Sequence, residues 1–192
     1  MTTVVLFHHA LGRTEGVLAL GRRLAAAGHE VHTPDLFDGA VFDTVERGVG
    51  HAEAIGFDAI LQRATVAVDG LPDGVVHAGL SLGVMPAQLL AQTRRGARGA
   101  VLLEACVPPS EFGGSWPAGL PLQVHGMTGD PFFGGEGDLD VARALAAQEP
   151  AAEVFTYDGD AHLFTDSSQP GHDAAATDLV VERVLAFLER VG

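Results

Sequence analysis

The chain of 192 residues contains one cysteine, one tryptophan, one tyrosine and only 11 basic residues. A lone cysteine, Cys106, excludes an intrachain disulfide and fits a reducing, cytoplasmic setting. The basic residues are scattered; only Arg22-Arg23 and Arg94-Arg95 are adjacent. Against 25 acidic residues they leave a net charge of −14, which argues against nucleic acid or an anionic membrane surface as a partner. No apolar run approaches the ~20 residues that span a bilayer. The start, Met1 to Phe7, lacks a basic n-region and a small-residue cleavage site, so it reads as a first core strand rather than a signal peptide. No H-E-x-x-H or cysteine cluster suggests a metal, and no G-x-G-x-x-G suggests a nucleotide, so neither a metal nor a cofactor is expected.

What the chain has in abundance is apolar residues, 47%, and 25 glycines. Strand-like and helix-like segments alternate throughout. The pattern predicts strands over Val4–His8, Glu30–Thr33, Val75–Leu80, Gly99–Ala105, Leu120–Gly126 and Glu153–Tyr157. Helices are predicted over Glu15–Ala27, Val84–Arg94, Leu139–Gln148 and Asp173–Arg190. A long helical stretch, Thr44 to Val68, has possible breaks at Gly48, Gly50 and Gly56. This alternation implies one α/β domain over residues 1–192, a doubly wound, mainly parallel sheet of about six strands with helices on both faces and no large cap. In such sheets ligands bind beyond the carboxyl ends of the strands.

Several chemically useful residues fall at those ends. Gly79-Leu80-Ser81-Leu82-Gly83 lies between a strand and a helix, the setting of a nucleophile elbow. A serine hydroxyl needs a base to take its proton and a carboxylate to hold that base in one tautomer. Asp130 follows the fifth strand and His162 the sixth, which supplies the order Ser, Asp, His. Glu104, at the end of the fourth strand, is a rival for the acid. The backbone N–H groups of Leu82 and Ala10 are candidates for an oxyanion hole. His9 is a candidate for facing the substrate. Trp116, in the loop Val107–Gly119, is expected to overhang Ser81 and line an acyl or aromatic pocket.

Together, Val4–Gly12, Pro34-Asp35-Leu36, Gly79–Gly83, His125-Gly126 with Asp130, and Tyr157 with Ala161-His162-Leu163-Phe164 resemble the dienelactone hydrolase family of α/β-hydrolases. The resemblance covers nearly the whole chain and implies a Ser81–His162–Asp130 triad, favouring Asp130 over Glu104. The family's namesake enzymes carry cysteine at the position of Ser81 and a glutamate at that of His9. They also bind the lactone carboxylate with arginines; Asp166 stands at one such position, and Arg47 is the candidate for the other. With serine at the elbow, the expected activity is His-assisted hydrolysis of a small ester, lactone or thioester, by a monomer or homodimer. The alternatives are a non-catalytic binding domain, or acyl transfer or C–C hydrolysis on the same three residues.

Overall fold

The computed structural model describes all of residues 1–192. Six strands, β1 (Thr3–Phe7), β2 (Glu30–His32), β3 (Val75–Leu80), β4 (Gly99–Leu103), β5 (Leu122–Met127) and β6 (Ala152–Tyr157), form one sheet in the order β2-β1-β3-β4-β5-β6. Every pair is parallel, where the sequence suggested mainly parallel. A parallel neighbour requires a crossover, and the helices α1 (Glu15–Ala26), α2 (Val45–Ile55), α3 (Phe57–Val68), α4 (Val84–Thr93), α5 (Asp138–Gln148) and α6 (Ala174–Val191) make up the layers above and below.

Side-chain alternation along the strands divides the core in two. Val5, Phe7, Ala100, Leu102 and Val124 pack against α2 to α5. Val4, Leu6, Val76, Ala78, Leu80, Val101 and Leu103 pack against α1 and α6. Strands apolar on both faces need cover on both faces, which is why the sheet is fully sandwiched. Helix starts are set by short polar side chains: Thr14, Thr44 and Asp173 accept from Val17, Arg47 and Ala176 N–H groups respectively.

The long helical stretch after Thr44 is two helices. Of the three glycines flagged as breaks, only Gly56 interrupts it, at φ 90°. Gly48 and Gly50 continue α2, and Gly48 lies so close to the β1 loop that a Cβ there would sit 2.0 Å from the Ala10 carbonyl oxygen. This close approach brings α2 over the first-strand loop.

The core also holds three histidines without charge. Burial pushes His8 and His77 down to about 4 and His125 down to about 3. In the unfolded chain these residues gain a proton below pH ~6.5, whereas in the folded chain they gain one only near pH 3–4. Their contribution to stability is therefore complete above pH ~6.5 and lost as pH falls through that window. The loss amounts to ~2 kcal/mol per histidine at pH 5. A marked fall in Tm between pH 7.5 and 5 is expected by calorimetry; a flat Tm over that range would contradict neutral burial.

Candidate active site

The chain leaves β1 and β3 in opposite directions across the sheet, so a crevice opens at their carboxyl ends. Ser81 sits there, immediately after β3, with φ 48°. A left-handed backbone at a residue with a side chain is strained and persists only where its surroundings enforce it. The two glycines of the pentapeptide show how. A Cβ on Gly79 would lie 2.0 Å from the Gly83 carbonyl oxygen, and one on Gly83 would lie 2.3 Å from that of Phe7. Helix α4 therefore starts directly against β1 and the strand it follows, and the turn between them lifts Ser81 out of the sheet.

Two other strand ends converge on this serine. His162 Nε2 is 2.9 Å from Ser81 Oγ, and its Nδ1 is 2.7 Å from Asp130 Oδ2. Asp130 is buried and its other oxygen accepts the Phe132 N–H, which orients the carboxylate. With Nδ1–H donating to Asp130, Nε2 is left as an acceptor for the serine hydroxyl. The ring of Phe132 packs at 4.5 Å from the imidazole centroid and shields it.

The rival acid is placed differently. Glu104 is fully buried, and its Oε1 accepts from Thr165, not from His162. Burial raises its pKa, partly opposed by His162, Thr165 and His9.

A cleft of about 700 Å³, its open mouth included, holds Ser81 and His162. Ala10 and Leu82 line it beside the serine, with Val45, Val49 and Phe57 on one side and Phe132 on another. The N–H of Ala10 is not used by its own loop, whose hydrogen bonds run from Gly12 to His9 and from Thr14 to Gly12. Glu136 and Asp138 give this cleft negative charge, buried Glu104 also lines it, and no lysine or arginine does. Val45, Val49 and Phe57 went unrecognised in the sequence, where they read as ordinary helix residues.

Two expectations are corrected. His9 does not face the cleft: it is fully buried, its Nδ1 accepts the Leu11 N–H, and its Nε2 bonds Asp166 Oδ2 at 2.6 Å. Thr14 and Ser168 hydroxyls donate to the same carboxylate, each at 2.6 Å. Burial acts to raise the pKa of Asp166, but the donors from His9, Ser168 and Thr14 outweigh it and bring it down to about 2. Asp166 is thus a structural tie between the β1 loop and the turn after His162. Trp116, expected over Ser81, is buried away from it. Its indole N–H donates to the Leu120 carbonyl, and the ring borders a separate depression next to Val141 and Leu145 of α5. A large ring with one polar handle is most stable where both are satisfied, and that place is the core under the loop. Arg47 does not line the cleft either; it is exposed and paired with Asp43. Cys106 is buried, its thiol pushed up to about 12 by burial and by nearby Asp138, which makes it a poor nucleophile.

The match to a family model settles the relationship, since the dienelactone hydrolase family model aligns with residues 1–192. The chain belongs to the dienelactone hydrolase family. Solved structures show the same α/β-hydrolase fold in family-like and more distant proteins. One is a dienelactone hydrolase-like promiscuous phosphotriesterase from metagenomic libraries, 21% identical, with a TM-score of 0.75 over 100% of this chain and 87% of that one. Another is the mouse alpha/beta hydrolase domain-containing protein 10, 12% identical, with a TM-score of 0.72 over 99% and 90%. A third comes from the metagenome-derived lipolytic enzymes LipS and LipT, 16% identical, with a TM-score of 0.67 over 98% and 94%. No curated protein matches the chain. No helix is long and apolar enough to cross a membrane. This dienelactone hydrolase family member departs from the family's namesakes in having serine at the elbow and no arginine at the cleft.

Proposed function

We propose that this protein hydrolyses small, non-anionic carboxylic esters, lactones or thioesters through an acyl-enzyme on Ser81. The observation that carries the reading is the relay of two short hydrogen bonds, Ser81 Oγ to His162 Nε2 and His162 Nδ1 to Asp130, at the open end of the sheet. In the first half-reaction the Ser81 proton passes to Nε2 as Oγ bonds to the acyl carbon. The carbonyl oxygen becomes an oxyanion beside the Ala10 and Leu82 N–H groups, each such donor being worth roughly 3–4 kcal/mol of barrier lowering. The imidazolium then gives its proton to the departing alkoxide or thiolate, and Asp130 steadies the charge on the ring. Water repeats the sequence and releases the acid.

The acidic, arginine-free lining supports neutral over anionic substrates, because a carboxylate on the substrate would face Glu136 and Asp138 without a counter-charge. For the same reason the lactone of the family's namesakes is a poor candidate. The wall of Val45, Val49 and Phe57 suits a short apolar acyl or alcohol group. The solitary, buried cysteine and the acidic surface agree with action in the cytoplasm.

The test is a fluorophosphonate probe together with a panel of short-chain esters and lactones. Stoichiometric labelling mapped to Ser81, and turnover of neutral esters ahead of anionic ones, are expected. A folded protein that resists labelling at Ser81 would instead be a non-catalytic scaffold.

A further inference from the structure

Glu104 directly follows β4 in a left-handed conformation, φ 66°, strained for a residue with a side chain. It has no solvent exposure and lines the cleft of Ser81 and His162. Its two oxygens have unequal surroundings. Oε1 accepts both the N–H and the hydroxyl of Thr165, at 3.1 and 2.7 Å, whereas Oε2 has no partner at all. Thr165 lies three residues after His162 on the same turn, which itself contains Leu163 at φ 59°. One oxygen of Glu104 thus anchors the sheet to the turn that carries the imidazole.

The free oxygen indicates where a proton resides. The titratable groups acting on Glu104 are His162 on that turn and His9 on the β1 loop. Glu136 and Asp138 share the cleft, and Asp130 faces the imidazole from β5. No lysine or arginine is among them. A bare carboxylate oxygen in these surroundings is far less stable than a protonated one. Both donors of Thr165 converge on Oε1, so the proton belongs on Oε2.

We propose that Glu104 is a positioning residue for His162 that works as a neutral carboxylic acid, Oε1 anchoring the histidine turn and protonated Oε2 keeping a second negative charge from the imidazole. The inference rests on the Ser81–His162–Asp130 reading. An ionised Glu104 would stabilise the imidazolium and so withdraw the base from Ser81; the uncharged form leaves Asp130 as the one carboxylate bonded to the ring.

The experiment compares Glu104→Leu, Glu104→Gln and Thr165→Val in the full chain, measuring kcat, KM and the pH profile of kcat/KM on p-nitrophenyl acetate. Loss of the anchor in Glu104→Leu is expected to lower kcat by ~30-fold or more while KM changes by less than ~3-fold. Glu104→Gln, whose amide oxygen can take the place of Oε1, is expected to rescue most of that loss. Its acid limb should coincide with that of the parent protein, because a neutral group replaces a neutral group. An acid limb displaced to lower pH by half a unit or more in Glu104→Gln, with kcat as low as in the leucine variant, would show an ionised Glu104 and overturn the proposal. So would a leucine variant with the parent kcat. Should Glu104→Leu fail to fold, Thr165→Val is expected to reproduce the fall in kcat at constant KM, and an unchanged kcat there overturns the anchor. Failure of the underlying serine reading is distinguishable, since it appears as a parent protein that fluorophosphonate does not label.

Discussion

Ser81→Ala is expected to lower hydrolysis of p-nitrophenyl acetate by ~10⁴-fold or more while the protein stays folded. The size of the effect follows from the chemistry. In the proposed reaction no acyl-enzyme forms without Oγ, and what remains is attack by a water polarised by His162 and stabilised by the Ala10 and Leu82 N–H groups. The fold should tolerate the change well. Ser81 is only partly buried, its sole side-chain hydrogen bond is to His162, and alanine keeps the Cβ that the turn already accommodates at φ 48°. The measurement is steady-state turnover alongside a thermal melt. Undiminished turnover in a variant with the parent Tm would exclude Ser81 as nucleophile, and a collapsed Tm would call for Ser81→Gly as the comparison.

The second large effect is expected from Asp130→Asn, a loss of about 10⁴-fold in kcat. The amide of asparagine donates where the carboxylate accepts. Its preferred partner is an unprotonated Nδ1, which puts the imidazole proton on Nε2, facing Ser81, where the base is needed. The Phe132 N–H can still bond the side-chain oxygen, so the turn keeps its shape and KM should hardly move. This variant also decides between the two acids at the site. Glu104 has its accepting oxygen engaged by Thr165, so it is not expected to substitute for Asp130. A loss of less than ~10-fold would mean that Glu104 can take over orientation of His162.

Much of this architecture is written in local chemistry. Alternation of apolar runs with amphipathic segments sets strand and helix placement, because buried parallel strands and half-buried helices need different periods. β3, with all six residues buried, has the bounds read from its sequence. The weaker spots are helix interruptions. Gly48 and Gly50 look like breaks, yet α2 absorbs them; at Gly48 close packing against the β1 loop offsets the low intrinsic propensity of glycine, while Gly50 faces open space. Gly56 does break the helix because its φ of 90° is outside helical space.

At the site, residue types and chain order point to Ser81, Asp130 and His162, and the fold brings their side chains within hydrogen-bonding distance. Chain order, however, carries no information about which way a side chain turns once it arrives at a strand end. His9 and Trp116 are near the right place and aimed elsewhere, because a buried imidazole or indole N–H is stabilised by whichever acceptor lies within reach, here Asp166 and the Leu120 carbonyl. The sequence by itself determined a parallel α/β sheet, the strained serine turn and the chemical types at its rim, since these follow from periodicity, glycine placement and loop position. Only the tertiary structure decided that Glu104 grips Thr165 rather than His162, that the cleft has carboxylates and no arginine, and that α2 and α3 supply its apolar wall. Those facts depend on contacts across scores of residues, and the packing of distant helices and loops sets them.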